Sequence, residues 1–208
     1  MTAKINYIIP QQRFETIRDA IALILKEELA KQKALTTNIL FDAGVFIERF
    51  VTFDHTECPA INVIYDETLF SNKDNFNNTG EMQFFIDIIS VAQDSTTKRG
   101  DQLSSENLHK LMGVIRYILD SMEYRLLNLD AGIVQSKKVV RMRALSPDNT
   151  YNVSVSNDSL NSISGRIYFN VRASEAVSFS ETITVTEIHS TFTIEDSGLG
   201  YKIVVNNN

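Results

Sequence analysis

The stretch Glu81-Met82-Gln83-Phe84-Phe85-Ile86-Asp87-Ile88-Ile89-Ser90-Val91-Ala92-Gln93 decides the fold. In an extended chain successive side chains point to opposite faces, so Met82, Phe84, Ile86 and Ile88 share one side and Gln83, Phe85, Asp87 and Ile89 the other. The first side is apolar throughout and the second is mixed, the pattern of a strand with one face in a core. Downstream, Leu108, Leu111, Met112, Ile115, Leu119, Met122 and Leu126 recur at three- and four-residue steps. That spacing predicts an amphipathic helix over 103–127, roughly 37 Å long at ~1.5 Å per residue. Gly100-Asp101 reads as the turn before it, Ser104 or Ser105 as its N-cap, and Glu106 as a charge that complements the positive end of the helix. The apolar side of the strand is the natural cover for the helix stripe, which makes one sheet-plus-helix layer.

On the N-terminal side, Phe14, Ile17, Ala20, Ile21, Ile24 and Leu25 follow helical spacing, with Leu23 and Leu29 widening the face, and predict a helix over 12–32 behind Pro10. A loop ending in Asp42-Ala43-Gly44 follows, then strands over 45–53 and 60–65, the second entered through Pro59. Residues 66–80, with Asn72, Asn75, Asn77 and Asn78, read as a long polar loop. Beyond the second helix, strands are expected over 133–144 and 165–173, separated by a Ser- and Asn-rich loop over 146–164 with room for a short strand at 151–155. In 165–173, Ile167, Phe169, Val171 and Ala173 face one way and Arg166, Tyr168, Asn170 and Arg172 the other.

After Ser174 the chain turns threonine-rich, with strand patterns at 182–188, 191–194 and 201–205 and a turn at Asp196-Ser197-Gly198-Leu199-Gly200. The expected architecture is α/β of the α+β kind. It has a mixed, mainly antiparallel sheet, two long helices packed on one face, and a C-terminal β-hairpin arm. The domain would span 1–173 and the arm 174–208.

A chain of 208 residues with 43% hydrophobic content can bury a core and is too apolar to be disordered. No apolar run reaches the ~20 residues of a membrane span, and the start lacks the apolar centre of a signal peptide. A single cysteine, Cys58, builds neither a disulfide framework nor a structural zinc site. These features point to a reducing compartment. The net charge of −6 argues against general nucleic-acid binding. Yet 137–172 holds six basic residues against two acidic ones, Asp148 and Asp158, leaving about −10 for the rest. Such asymmetry suits docking between unlike surfaces, and equally a solvated sheet face.

Catalytic constellations are missing from the sequence. Asp54-His55-Thr56-Glu57-Cys58 is too local to converge as a metal or Cys/His site, and His109 and His189 stand alone. No Gly-rich phosphate loop, nucleophile elbow or zincin helix is present. Asp87 reads as a satisfied polar residue at a contact between copies, with a buried acid of raised pKa as the alternative. The expectation is a protein without catalytic, cofactor-binding or metal residues, an assembly component and not an enzyme.

Leu40-Phe41-Asp42, the Pro-initiated strand Pro59-Ala60-Ile61-Asn62-Val63-Ile64-Tyr65, and Phe84-Phe85-Ile86-Asp87-Ile88-Ile89-Ser90-Val91 feeding a helix carry a resemblance. Over about 12–173 their order resembles the lambda-type tail terminator (tail completion, minor tail) proteins of tailed bacteriophages. The resemblance implies a homo-hexameric ring that caps the tail tube, ends its polymerisation and offers the surface for head-tail joining at the neck. Its partners would be further copies, the tail tube protein, and sheath and head-completion or connector proteins. DNA could pass through the ring without sequence-specific recognition, and no membrane is involved. The protein would assemble in the host cytoplasm and end in the virion. The arm after Ser174 would suit a contractile tail, where a terminator also holds the last sheath ring. Contacts are expected from Lys137, Lys138, Arg141, Arg143, Arg166 and Arg172 on the basic strands and from Asn72, Lys73 and Asn75 in the polar loop. A head-completion or connector protein is the alternative, and a small cytosolic α/β enzyme the distant one.

Overall fold

The computed structural model describes residues 8–71, 79–145, 160–174, 190–196 and 201–207. The chain divides into two compact units, Met1–Ala176 and Val177–Asn208. The first unit runs α1 (Arg13–Thr36), β1 (Gly44–Ile47), β2 (Ala60–Ser71), β3 (Thr79–Gln93), α2 (Gly100–Asp120), β4 (Val134–Ala144) and β5 (Leu160–Ser174). Its sheet has the order β1-β2-β3-β5-β4, with β1 parallel to β2 and every other pair antiparallel. Both helices pack on this sheet, α1 on β1 and β2, and α2 on β3, β5 and β4. The α+β reading with a mixed, mainly antiparallel sheet holds. In the second unit, β6 (Ser190–Asp196) and β7 (Tyr201–Asn207) pair as an antiparallel hairpin. The strand patterns at 182–188 and 151–155 lie outside the described residues.

The core lies between sheet and helices. Met82, Phe84, Ile86 and Ile88 of β3 and Ile167, Phe169, Val171 and Ala173 of β5 are fully buried there, against Ile17, Ile21 and Leu25 of α1 and Leu108, Leu111 and Ile115 of α2. Each such side chain larger than that of Ala173 contributes about 1.5–3 kcal/mol through removal from water. Close approach of α2 requires glycine at two places. A Cβ on Gly165 would sit 2.7 Å from Met112 Sδ, and one on Gly100 would sit 2.8 Å from the Ala92 carbonyl.

Several boundaries differ from those the sequence suggests. Helix α2 begins at Gly100, whose N–H donates to the Asp94 carboxylate at 2.6 Å, so Ser104 and Ser105 lie inside the helix and cap nothing. Glu106 pairs with Lys98 at 2.6 Å. The helix ends at Asp120 because Ser121 turns out of helical geometry, and its hydroxyl accepts from Glu123 N–H to start a separate turn at Met122–Tyr124. Met122 is 77% exposed in consequence, while Leu127, in left-handed backbone at φ 53°, folds back into the core. At α1 the Gln12–Glu15 capping box sets the start, and Thr37 at φ 54° stops the helix four residues later than expected.

Residues 66–71 and 79–80 belong to strands, since β2 and β3 pair without a break in the ladder beyond one bulge at Tyr65/Glu67, from Ala60↔Ile89 out to Ser71↔Thr79. The expected polar loop therefore shrinks to the residues between them, and Asn72, Lys73 and Asn75 lie outside the described residues. Strand β5 likewise starts at Leu160, inside the expected 146–164 loop. The expected strand over 45–53 stops at Ile47, because Glu48 adopts φ 50° and turns the chain out of the sheet. No helix among the described residues is long and apolar enough to cross a membrane.

Candidate interaction surface

The side of the sheet away from the helices carries the other half of each alternation, and strand register arranges it in rows. Across β2, β3, β5 and β4 the rows read Asn62, Asp87, Arg166, Arg143; then Ile64, Phe85, Tyr168, Arg141; then Glu67, Gln83, Asn170, Lys138; then Leu69, Glu81, Arg172, Ser136. The bulges at Tyr65/Glu67 and Val139/Arg141 keep these rows aligned. Without the second bulge, Lys138 and Arg141 would point to opposite faces, because side-chain period in a strand is two.

The first row contains a buried ion pair. Asp87 is fully buried, and its two carboxylate oxygens accept from Arg166 Nε at 2.6 Å and Nη2 at 2.7 Å. A bidentate fork of this kind holds both planar groups in one orientation. The same guanidinium lies 4.3 Å above the Phe85 ring, and Phe85 meets Tyr168 edge to face at 5.1 Å. Arg141 and Arg143 both lie over the Tyr168 ring, at 5.7 and 5.8 Å. Both are exposed, and neither pairs with a carboxylate among the described residues. Gln83, Asn170 and Glu81 form a hydrogen-bonded ladder below them, with Gln83 Nε2 donating to Asn170 Oδ1 and Asn170 Nδ2 to Glu81 Oε1, both at 3.0 Å.

The six basic residues picked from the sequence thus have different employments. Lys138, Arg141, Arg143 and Arg172 are exposed on the open face. Arg166 is committed to Asp87 and Phe85. Lys137 points to the helix side, where its ammonium donates to the carbonyls of Leu119 and Ser121 and caps the negative end of α2. Partial burial pushes its pKa below the usual lysine value, against a smaller opposite pull from Asp120. Lys137 and Arg166 are therefore structural side chains, and Asp87 is satisfied within its own subunit without a neighbouring copy.

The β1 end of the open face is closed by the 48–57 loop, a feature that alternation of Val45, Ile47, Val51 and Phe53 conceals. Phe53 is fully buried against Ala60 and Ile89. The Glu48 carboxylate accepts from Tyr65 N–H at 2.8 Å and lies 3.5 Å from Arg18. Asn62, fully buried, accepts from Arg49 N–H at 3.1 Å and donates to the Arg49 carbonyl at 2.7 Å. The Arg49 guanidinium forks onto Glu57 at 2.7 and 2.8 Å and lies over the Phe46 and Phe53 rings at 4.8 and 4.3 Å. That hydrogen bonding raises the Arg49 pKa and, with the Asp54 N–H, lowers that of Glu57. Asp54 is lowered as well, by the backbone N–H and then the hydroxyl of Thr56. The sequence signal for this loop is the break in alternation at Glu48-Arg49-Phe50.

The acid-base residues weighed from the sequence stay apart. His109 is exposed on α2, at an open groove beside Glu28 and Tyr124, where the Tyr124 hydroxyl donates to Glu28 and its pKa is pushed up to about 12. His55 sits in a single turn with Asp54. Burial first, then Glu57 and Asp54, push the Cys58 thiol up to about 11, which favours the protonated form at neutral pH. His189 lies outside the described residues. Among the described residues no three His, Cys, Asp or Glu side chains gather as a metal site. No family model matches the chain, and no curated protein matches it.

Proposed function

We propose that this protein is a structural component of a phage tail, a terminator whose copies close into a ring at the end of the tail tube. The observation that carries the reading is one sheet with two unlike faces. Its elements follow the order α1, β1, β2, β3, α2, β4, β5, both helices seal one face, and the other ends three successive rows in Arg143, Arg141 and Lys138 along β4. That order is the one on which the resemblance to lambda-type terminators rests. The exposed basic strip supports a role in docking, because Arg141 and Arg143 lie over Tyr168 with no carboxylate partner among the described residues and need little reorganisation to meet an acidic surface.

In this account function is geometry. A ring repeats each weak contact around its circumference, so modest charge pairing at every subunit adds up through avidity. The strip meets an acidic face of the tube or of a neck component, and the ring blocks addition of further tube subunits.

The test is double charge reversal, Arg141→Glu with Arg143→Glu. The variant folds and self-associates as the wild type does, and in a phage assembly assay it yields tails of abnormal length or tails that fail to join heads. Tails of normal length on infectious particles would remove the strip from the docking surface.

A further inference from the structure

Elsewhere in the chain cations have a matching acid: Arg49 has Glu57, Lys98 has Glu106, Arg116 has Asp120 and Arg166 has Asp87. Acidic residues outnumber basic ones, 26 to 20, so such partners are in good supply. Even so, Lys138, Arg141 and Arg143, all exposed and in three successive rows, meet no carboxylate among the described residues. Arg143 moreover stands directly across from Arg166 in the β4–β5 register. Like charges opposed in this way destabilise a strand pair, and the Asp87 fork answers Arg166. An anion arriving from outside the subunit would relieve both conditions.

The arrangement of these cations selects the anion. Arg141 and Arg143 gather over one ring, that of Tyr168, at 5.7 and 5.8 Å. The ring is braced edge to face by Phe85 at 5.1 Å, and Phe85 by the Arg166 guanidinium 4.3 Å above it, whose direction the buried Asp87 carboxylate sets. Two guanidiniums offer forked N–H donors, and a carboxylate has lone pairs for both. Lys138 lies one row further on, about 6.7 Å along β5 at two residues per row. Side chains on one face of an extended peptide repeat at that same distance, whereas a helix brings a face round again only after three or four residues. In the fourth row Arg172 is offset by the exposed Glu81 directly across from it, so the unanswered strip ends at Lys138. A long polyanion such as a nucleic-acid strand would outrun three rows, on a chain that carries about −10 outside 137–172, while a short acidic segment fits them.

We infer that Arg141 and Arg143 jointly clamp one carboxylate of an acidic, extended partner segment over Tyr168, and that Lys138 takes a second carboxylate two residues along that segment. This names the partner chemistry of the docking surface proposed above and rests on that reading for its biological occupant. The clamp itself is tested on the purified full chain, without any phage component.

The probes are two capped threonine peptides of equal length, each with two glutamates, placed two residues apart in one and adjacent in the other. In chemical-shift titrations at low salt both move the signals of Arg141, Arg143 and Tyr168, and the spaced peptide binds on the order of 5-fold more tightly. Lys138→Gln makes the two peptides equal without abolishing binding. Arg141→Lys with Arg143→Lys keeps the charge and loses the forks, which weakens both peptides about 10-fold at unchanged salt dependence. Thermal unfolding of each variant confirms an intact fold. Equal affinity of the two peptides for the wild type, wild-type binding by the double lysine variant, or shifts that centre elsewhere or never appear would overturn the clamp. An oligothymidylate that binds more tightly than the spaced peptide at the same salt would also overturn it, and give the strip to phosphate. Spacing-selective peptide binding, combined with normal tails from the Arg141→Glu, Arg143→Glu phage, would keep the clamp and overturn the docking reading. Abnormal tails without peptide selectivity would do the reverse.

Discussion

Along β3 and β5 the residues facing the helices are Phe84, Ile86, Phe169 and Val171, and their immediate neighbours facing away are Phe85, Asp87, Tyr168 and Asn170. The first set is sealed by packing alone. The second is held by an ion pair, ring-guanidinium contacts and an amide ladder, and it ends in exposed cations. Packing is indifferent to orientation, so the covered face secures stability. Forked and stacked groups fix direction, so the open face can present a set pattern to a partner.

The sharpest way to break the contrast is to cut the same amount from each face. Phe84→Ala, on the covered face, leaves a cavity in the centre of the core and is expected to cost about 3–5 kcal/mol in urea denaturation. A loss below about 1 kcal/mol would mean that α2 does not depend on that face. On the other side, Arg166→Ala removes the bidentate partner of the buried Asp87 carboxylate and is expected to cost about 3 kcal/mol, slightly reduced because the Arg166 side chain is 24% exposed and water can enter there. Replacing both partners, Asp87→Leu with Arg166→Met, should recover most of that loss while weakening docking. Recovery of stability with docking intact would show that the pair does not orient the basic strip.

The smallest effect is local and depends on pH. Glu57 and Asp54 both have folded pKa values below their ordinary ones. Their stabilisation of the 48–57 loop is therefore complete above the unfolded values of about 4.3 and 3.9, and is lost as pH falls through the folded values. Protection factors at Arg49 and Thr56, taken relative to the intrinsic exchange rate at each pH, should fall as pH drops below about 4 while those of β3 and β5 amides hold. An equal fall everywhere would join the loop to the core as one cooperative unit.

The covered face was legible in the sequence because its residues obey simple periods: two along β3 and β5, three and four along both helices. The open face was legible as a set of charges but not as an arrangement. A bulge at Val139/Arg141 brings Lys138 onto the same side as Arg141 and Arg143, and no propensity marks it. Burial separated residues that look alike in composition, since Lys137 reaches a helix end and Arg166 a buried acid, each across 16 or more residues of chain. The end of α2 was misplaced because a serine turn overrode a continuing apolar stripe, and the 48–57 loop was hidden by a strand pattern that its own arginine interrupts. Of the arm, the described residues show the β6–β7 hairpin.

The particle mass of the purified protein, taken by native mass spectrometry or light scattering across a concentration series, tests the central claim most directly. Closed ring assembly predicts a discrete species of six copies of the 23.5 kDa chain, with no larger series above it. A protein that remains at 23.5 kDa at every concentration, alone and with tail tubes, would contradict it.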